Sequence, residues 1–274
     1  MEFDFIVVGA GSSGCVLANR LSESGRYTVA VVEAGGRDSS PWIHIPVGYF
    51  KTMGNPKTDW CYQTEEDPGL NGRSLPWPRG KVLGGSSSIN GLLYVRGQPE
   101  DFDGWRQMGN TGWGWDDVLP HFKRSETWEL NSSEVRGKNG PLHVSASRLK
   151  RKIVDAWIEA AVNEGYKKTE DYNQEDQEGV SYFQLTTKNG KRCSSAVAYL
   201  HPAAKRQNLQ IFTNCQTSKG ALLISLASSR RSLAMHSLFR ENTPLKGSKK
   251  RIKIQPIALM KQNCRKMFIK ARCC

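Results

Sequence analysis

One stretch of apolar and glycine-rich segments, residues 3–33, constrains the fold of this chain more than any other feature. Two apolar runs, residues 3–8 and 27–32, have the length and composition of buried parallel strands. Between them, residues 9–14 spell the turn G-x-G-x-x-G, and residues 15–24 space their apolar side chains as a helix does. The order of these segments and their size of about 30 residues predict one β-α-β unit of a parallel sheet.

The glycine turn of this unit predicts a site for the pyrophosphate of a dinucleotide. Gly9 permits the tight turn, Gly11 lets the backbone approach the phosphates, and Gly14 lets helix and strand pack closely. The phosphates would then lie at the helix N-terminus, on its free N–H groups. Glu33, at the end of the second apolar run, is placed to accept hydrogen bonds from the adenosine ribose. The pattern disfavours NADP, but it leaves NAD and FAD open.

A second segment, residues 80–103 (GKVLGGSSSINGLLYVRGQPEDFD), decides between these cofactors by resemblance. It resembles the first signature of the glucose-methanol-choline (GMC) oxidoreductases. The matching positions are Gly80, Lys81, Leu83, Gly84, Gly85, Ser86, Ser87, Ile89, Asn90, Tyr94, Gly97 and Asp103. Flanking segments, among them residues 101–105 and 184–200, resemble the choline-dehydrogenase-like branch of that family. The resemblance covers about residues 3–218.

The resemblance implies FAD as the cofactor, with the second segment passing along its pyrophosphate and flavin ring. Asn90 would supply amide donors and acceptors toward the flavin. Ile89 stands where some family members carry the histidine that attaches FAD covalently, so we expect a non-covalent flavin. The expected cofactor-binding residues are Gly9, Gly11, Ser12, Ser13, Gly14, Glu33, Ala34, Val82, Gly84, Gly85, Ser86, Asn90, Gly91, Leu92 and Leu93.

The fold implied is α/β, a Rossmann-like FAD-binding domain with a mostly parallel sheet. The activity implied is oxidation of an alcohol to an aldehyde or ketone by hydride transfer to flavin N5, with an electron acceptor that stays open. The catalytic histidine of the family lies in the last third of chains about twice as long. None of the five histidines here is therefore expected to be catalytic, and no metal site is expected; they are His44, His121, His143, His201 and His236.

From this we expect residues 1–218 to form an incomplete FAD-binding region, with the substrate domain largely absent and residues 150–190 on the substrate side. We interpret the chain as a truncated, inactive form, because the part of the family chain that carries the catalytic histidine is missing. We also expect poor solubility, because an apolar sheet edge would be left exposed. Two alternatives stay open: a catalytically dead FAD- or ADP-binding protein, and an interaction protein that carries its basic tail on a Rossmann scaffold.

The formal net charge of +13 lies entirely in residues 219–274, which hold 14 of the 39 Lys and Arg residues and one of the 26 acids. We interpret this tail as out-of-frame or non-native sequence, with a lineage-specific extension or a nucleic-acid or lipid-headgroup tail as alternatives; no nucleic-acid partner is expected. We expect a cytoplasmic chain, because the seven cysteines are scattered without a CxxC, no signal peptide is visible and no apolar run reaches about 18 residues. Peripheral membrane association and the oligomeric state stay open.

The remaining pattern predicts helices over residues 113–125, 149–165 and 194–205, a strand over residues 208–213, and long irregular loops over residues 41–79. In the second of these helices, Ile153, Trp157 and Ala160 would share the buried face.

Several side chains have a structural interpretation beside a functional one. We interpret six tryptophans as loop anchors and core residues, namely Trp42, Trp60, Trp77, Trp105, Trp113 and Trp115. Cys15 is interpreted as a small core residue of the first helix. For Arg79 and Arg96, phosphate pairing and a surface or salt-bridge role both stay open.

Overall fold

The computed structural model describes residues 2–130, 133–174 and 176–217, so residues 219–274 with their predicted tail lie outside the described residues. Its strands are β1 (Phe5–Val8), β2 (Val29–Val32), β3 (Tyr62–Gln63), β4 (Pro76–Trp77), β5 (Glu126–Trp128), β6 (Leu142–Val144), β7 (Thr187–Lys188), β8 (Lys191–Arg192) and β9 (Leu209–Phe212). Its α-helices are α1 (Ser12–Ser22), α2 (Pro41–His44), α3 (Tyr49–Thr52), α4 (Pro99–Gln107), α5 (Trp115–Ser125), α6 (Lys152–Asn163) and α7 (His201–Ala203). None of the described helices is both long and apolar enough to traverse a lipid bilayer.

The largest sheet of the described residues contains three parallel strands in the order β1-β2-β9. Val29 of the central strand lies opposite Phe5 on one side and Leu209 on the other. Helix α1 connects β1 to β2, so the predicted β-α-β unit and the α/β class with a mostly parallel sheet are confirmed. The helix begins at Ser12, inside the glycine turn, rather than at residue 15.

The main core lies between this sheet, α1 and a π-helical turn, Ala196–Leu200, that leads into α7. Cys15 and Ala18 of α1 are fully buried, which confirms the interpretation of Cys15 as a core residue. Asn19 ties the helix to the π-helical turn by donating its amide to the carbonyl oxygen of Tyr199 at 2.7 Å. This packing brings residues near position 200 under the glycine turn.

The apolar face predicted for residues 149–165 is wrong. The helix is observed as α6, but Ile153 is 77% exposed, Trp157 is 61% exposed and Ala160 is also exposed. Ile158 is instead the residue of α6 that is buried. The 3.6-residue period identifies an apolar stripe, but it does not say which element covers that stripe.

Two other local expectations need correction. Residues 41–79 are less irregular than predicted, because they contain α2, α3 and the antiparallel pair β3-β4. Among the tryptophans, Trp115 is buried and packs its ring on Phe102 at 5.8 Å between centroids, as predicted. The core interpretation is wrong for four others, because the surfaces that they occupy on α2, β4, α4 and the turn before α5 are not covered by other described elements; each is more than two-fifths exposed: Trp42, Trp77, Trp105 and Trp113.

A second buried region is built on charge rather than on apolar contact. Glu126, fully buried, pairs with Arg96 at 2.6 Å and with Arg136 at 2.8 Å. Arg136 also bonds to Asp171 at 3.0 Å. Burial lowers the pKa of Arg136, and the charge of Glu126 opposes that shift. For both arginines the sequence left phosphate pairing and a surface or salt-bridge role open. Arg96 forms a salt bridge, whereas Arg79 is exposed and lies over the ring of Trp77.

We expect Glu126→Gln to lower the free energy of unfolding by about 3–5 kcal/mol, because it leaves two buried guanidinium groups without their shared carboxylate. Urea denaturation measures this change. The matched control is Glu23→Gln, which removes an exposed ion pair to Arg20 at 3.3 Å and should cost less than about 1 kcal/mol. Equal costs for the two variants would show that the buried cluster does not stabilise the fold.

Candidate cofactor site

The candidate site begins at the glycine turn, residues 9–14. On the side of this turn that faces the strand and the helix, the backbone leaves no room for a side chain. Gly9 has a φ of +89°, and its N–H donates to the carbonyl oxygen of Val32 at 2.8 Å. A Cβ on Gly14 would lie 1.9 Å from the carbonyl oxygen of Gly9. On the outer side, a Cβ on Gly11 would meet no atom within 4 Å, so open space borders the turn there.

Helix α1 presents its N-terminus to this space. Gly11 is the N-cap, no side chain caps the helix, and its first turn holds no acidic residue. Ser12 and Ser13 are exposed at the surface of that turn. An uncapped helix N-terminus offers free N–H groups and the positive end of the helix dipole, which together suit an anion such as a phosphate.

Glu33 braces the site in a way that the sequence pattern did not predict. Its side chain is buried, and its carboxylate accepts the Ala10 N–H at 2.7 Å and the Gly35 N–H at 2.8 Å. Glu33 thereby holds the glycine turn against the loop that contains Ala34. Each carboxylate oxygen can accept further hydrogen bonds, so these two leave capacity for ribose hydroxyls.

The second segment lies directly against the glycine turn. Gly84 donates its N–H to the carbonyl oxygen of Ala10 at 2.7 Å. A Cβ on Gly85, whose φ is +54°, would lie 2.7 Å from the Cα of Gly11. Residues 85–88 then form a short 3-10 helix. The two glycine segments, far apart in sequence, thus form one surface as the resemblance implied.

The predicted site residues are therefore brought together, although not all reach the surface by side chain. Val82 and Leu92 are buried, so only their backbones can face a ligand. Asn90 and Leu93 are exposed, and Leu92 is held at a φ of +65° between them. Of the other predicted positions, Ser12 and Ser13 are exposed, Ala34, Ser86 and Gly91 are half-buried, and Gly84 and Gly85 are buried against the glycine turn.

A third segment, residues 192–195, contacts residues 87–90 of the second segment. The sequence pattern assigned it no role. The hydroxyl groups of Ser87 and Ser195 lie 2.7 Å apart, and the Ser195 N–H donates to Ser87 Oγ at 3.0 Å. Arg192 contacts the same stretch. The resemblance covered residues 184–200, so the segment was visible, but nothing local indicated which side chains would meet residues 87–90.

Three of the four described histidines have hydrogen-bond partners on other parts of the chain. His44 lies 2.6 Å from the carbonyl oxygen of Asp38, and His201 Nε2 lies 2.9 Å from Asp38 Oδ1. His121 contacts Arg124, and burial lowers the pKa of His143. In the part of the chain that the structure describes, none of these four forms a hydrogen bond with the glycine turn or with residues 84–93. His236 lies outside the described residues.

The chain is similar to known sequences over most of its length. A sequence model of the GMC oxidoreductases matches residues 3–253, which includes part of the predicted tail; the interpretation of that tail stays a prediction. Over 211 residues the chain is 47% identical to an oxygen-dependent choline dehydrogenase of Sinorhizobium fredii and 47% identical to one of Brucella anthropi. Each match includes 77% of this chain and 38% of the relative, so the chain spans well under half the length of these relatives.

Solved structures are similar as well. The first is a pyridoxine 4-oxidase from Mesorbium loti, with a TM-score of 0.75, 34% identity, and 80% of this chain and 44% of that chain covered. The second is an FAD-dependent oxidoreductase from Chaetomium thermophilum, with a TM-score of 0.69, 30% identity, and coverage of 77% and 38%. The third is a formate oxidase of Aspergillus oryzae studied for modification of its FAD, with a TM-score of 0.70, 29% identity, and coverage of 79% and 39%.

The pair His201 and Asp38 predicts a pH-dependent contribution to stability. The hydrogen bond with Asp38 raises the pKa of His201 above 6.5, so this stabilisation is fully present below pH 6.5 and is lost as pH rises through the raised value. His201→Gln should therefore destabilise more at about pH 5.5 than at about pH 9 in urea denaturation. His121→Gln, at an exposed ring beside Arg124, is the control. A pH-independent effect of His201→Gln would contradict this assignment.

Proposed function

The chain belongs to the GMC oxidoreductase family, and we propose that it is the FAD-binding part of an FAD-dependent oxidoreductase that acts on alcohols. One observation carries this proposal: the uncapped N-terminus of α1 lies beside the glycine pair Gly84–Gly85, with Glu33 bracing the turn between them. This combination supplies N–H groups that can bind an anion, a backbone that a pyrophosphate can approach closely, and a carboxylate that can accept from a ribose. A dinucleotide requires all three.

The residues present fit FAD at each point where they can be tested. The space beside Gly11 and the free N–H groups of α1 suit the pyrophosphate, and Glu33 retains acceptor capacity for the ribose hydroxyls. Asn90 and Leu93 are exposed where the flavin ring would lie. Ile89 is buried in an apolar cluster with Ile43 and Val82, which supports a flavin that is held without a covalent bond.

When bound, FAD supplies the oxidising power, by taking the hydride and its two electrons from the carbinol carbon of the alcohol. The hydroxyl proton goes to a base, so the alcohol becomes an aldehyde or ketone, and an electron acceptor of undetermined class restores the cofactor. In this proposal, the described residues bind the cofactor and orient it. His44, His121 and His201 have other partners, and none of the four described histidines forms a hydrogen bond with the glycine turn or with residues 84–93. We therefore propose that the base lies outside residues 2–217 and that these residues alone do not oxidise alcohol.

Choline is the first alcohol to test, because the curated relatives at 47% identity are named oxygen-dependent choline dehydrogenases. The proposal for the substrate stays at the level of a small alcohol. The placement of the histidines also favours the alternative that this chain binds FAD without turnover. One experiment tests both FAD binding and turnover of choline.

The experiment is an FAD titration of the purified chain, followed by visible spectroscopy. We expect a yellow protein whose flavin is fully released by denaturation and whose spectrum does not bleach when choline is added without oxygen. A chain that takes up no FAD would overturn the proposal. Flavin that stays attached after denaturation would contradict non-covalent binding, and bleaching by choline would contradict the absence of turnover.

Gly85→Ala provides the site-directed version. Its new Cβ would lie 2.7 Å from the Cα of Gly11 at a φ of +54°, so the two glycine segments must separate. We expect FAD binding to weaken by roughly tenfold or more, since strain of this kind costs about 1–3 kcal/mol. Gly104→Ala in α4 is the matched control, because no atom lies within 4 Å of its new Cβ. Equal FAD affinity in both variants would show that the segments need not touch.

A further inference from the structure

Arg192 is a buried arginine whose hydrogen bonds lead to Ser87 and Asn90, in the second glycine-containing segment, and to Ile43 of α2. Only about 2% of the residue is exposed, at the end of β8. Its Nε donates to the carbonyl oxygen of Ile43 at 2.7 Å, and Nη1 donates to that of Ser87 at 3.1 Å. Nη1 also donates to Asn90 Oδ1 at 2.7 Å, and Nη2 donates to the Asn90 carbonyl oxygen at 2.8 Å.

The charge of Arg192 has no carboxylate to balance it within the described residues. Its acceptors are three backbone carbonyl oxygens and one side-chain amide oxygen. The buried arginines Arg96 and Arg136 differ, because both pair with Glu126. Burial lowers the pKa of Arg192 to about 10, so the side chain still carries its charge at neutral pH. A buried cation that faces only neutral dipoles is unfavourable for stability, which points to a functional role.

The geometry around Asn90 shows what this cation does locally. Asn90 Oδ1 accepts from Arg192 Nη1 and also from the Leu92 N–H at 3.1 Å. An amide whose oxygen faces two donors has only one orientation, and its other end is the NH₂ group. Asn90 is exposed, so its NH₂ group is accessible to a ligand as a hydrogen-bond donor.

We propose that Arg192 is a positioning residue that holds residues 87–90, fixes the Asn90 amide as a donor toward an acceptor atom of the flavin ring, and places a positive charge behind it. This inference rests on the proposed FAD binding and extends it. The oxidised flavin ring offers acceptors at its carbonyl oxygens and unprotonated ring nitrogens. A positive charge nearby favours the added negative charge of the reduced ring, so it raises the reduction potential.

Three variants test the two parts of the role separately in the full chain loaded with FAD. Arg192→Met removes both the hydrogen bonds and the charge, Arg192→Lys keeps the charge but loses the planar fork, and Asn90→Ala removes the fixed amide. FAD affinity is measured by titration, the midpoint potential of the bound flavin by equilibration with a redox dye, and stability by thermal melting.

We expect Arg192→Met to weaken FAD binding roughly tenfold to a hundredfold, as hydrogen bonds to a charged group suggest, and to lower the midpoint potential. Arg192→Lys should restore the potential to near that of the wild type but only part of the affinity. In the Asn90→Ala background, Arg192→Lys should cost much less affinity than in the wild type, because the two residues act as a unit. If Arg192→Met does not fold, the inference is tested by Arg192→Lys and by comparing its effect on FAD affinity with and without Asn90→Ala.

The matched control is Arg206→Met, which removes an arginine that donates to the carbonyl oxygen of Asn19 and to Ser22 Oγ, far along α1. It should leave both the FAD affinity and the potential unchanged. Folded Arg192 variants with wild-type affinity and potential would overturn the inference while leaving the proposed function intact. A wild-type chain that binds no FAD would overturn both.

Discussion

Direct backbone contact between the glycine turn, residues 9–14, and the segment of residues 80–85 is the constraint on which the rest of this structure depends. A Cβ on Gly14, Gly35 or Gly85 would overlap backbone atoms of a neighbouring segment. Because side chains are absent there, the N-terminus of α1 and the second glycine segment meet without a layer between them. Strand β2, Glu33 and the π-helical turn then pack around a contact that no other residue type would allow.

Buried charge is arranged differently in the two parts of the molecule. Around Glu126, each charge has an opposite charge within hydrogen-bond distance, as a stabilising cluster requires. Beside the candidate site, within the described ranges, Glu33 accepts from the backbone N–H groups of Ala10 and Gly35, and Arg192 donates to neutral oxygens. Fixed charges balanced only by dipoles retain more of their field, and a site that binds a phosphate and a redox-active ring can use that field.

In the proposed function, holding a cofactor and oxidising an alcohol are separate tasks, and we assign the first to the described residues. The surface built from α1, Glu33 and residues 84–93 has the donors, the carboxylate and the open space that binding requires. Its hydrogen-bonded neighbours are serines, an arginine and backbone groups, whereas His44, His121 and His201 have partners elsewhere.

The sequence by itself determined the β-α-β unit, the glycine turn and the position of α6, because local backbone conformation and apolar spacing decide these. That the two glycine segments share one site was implied only by the family resemblance. It did not predict that Ile153 would be exposed, that Arg96 would pair with Glu126, or that Glu33 would hold Ala10 and Gly35. Arg192 and Asn90 are 102 positions apart. A side chain's partner at such a distance is decided only when the chain packs, since hydrogen bonds need both groups in place.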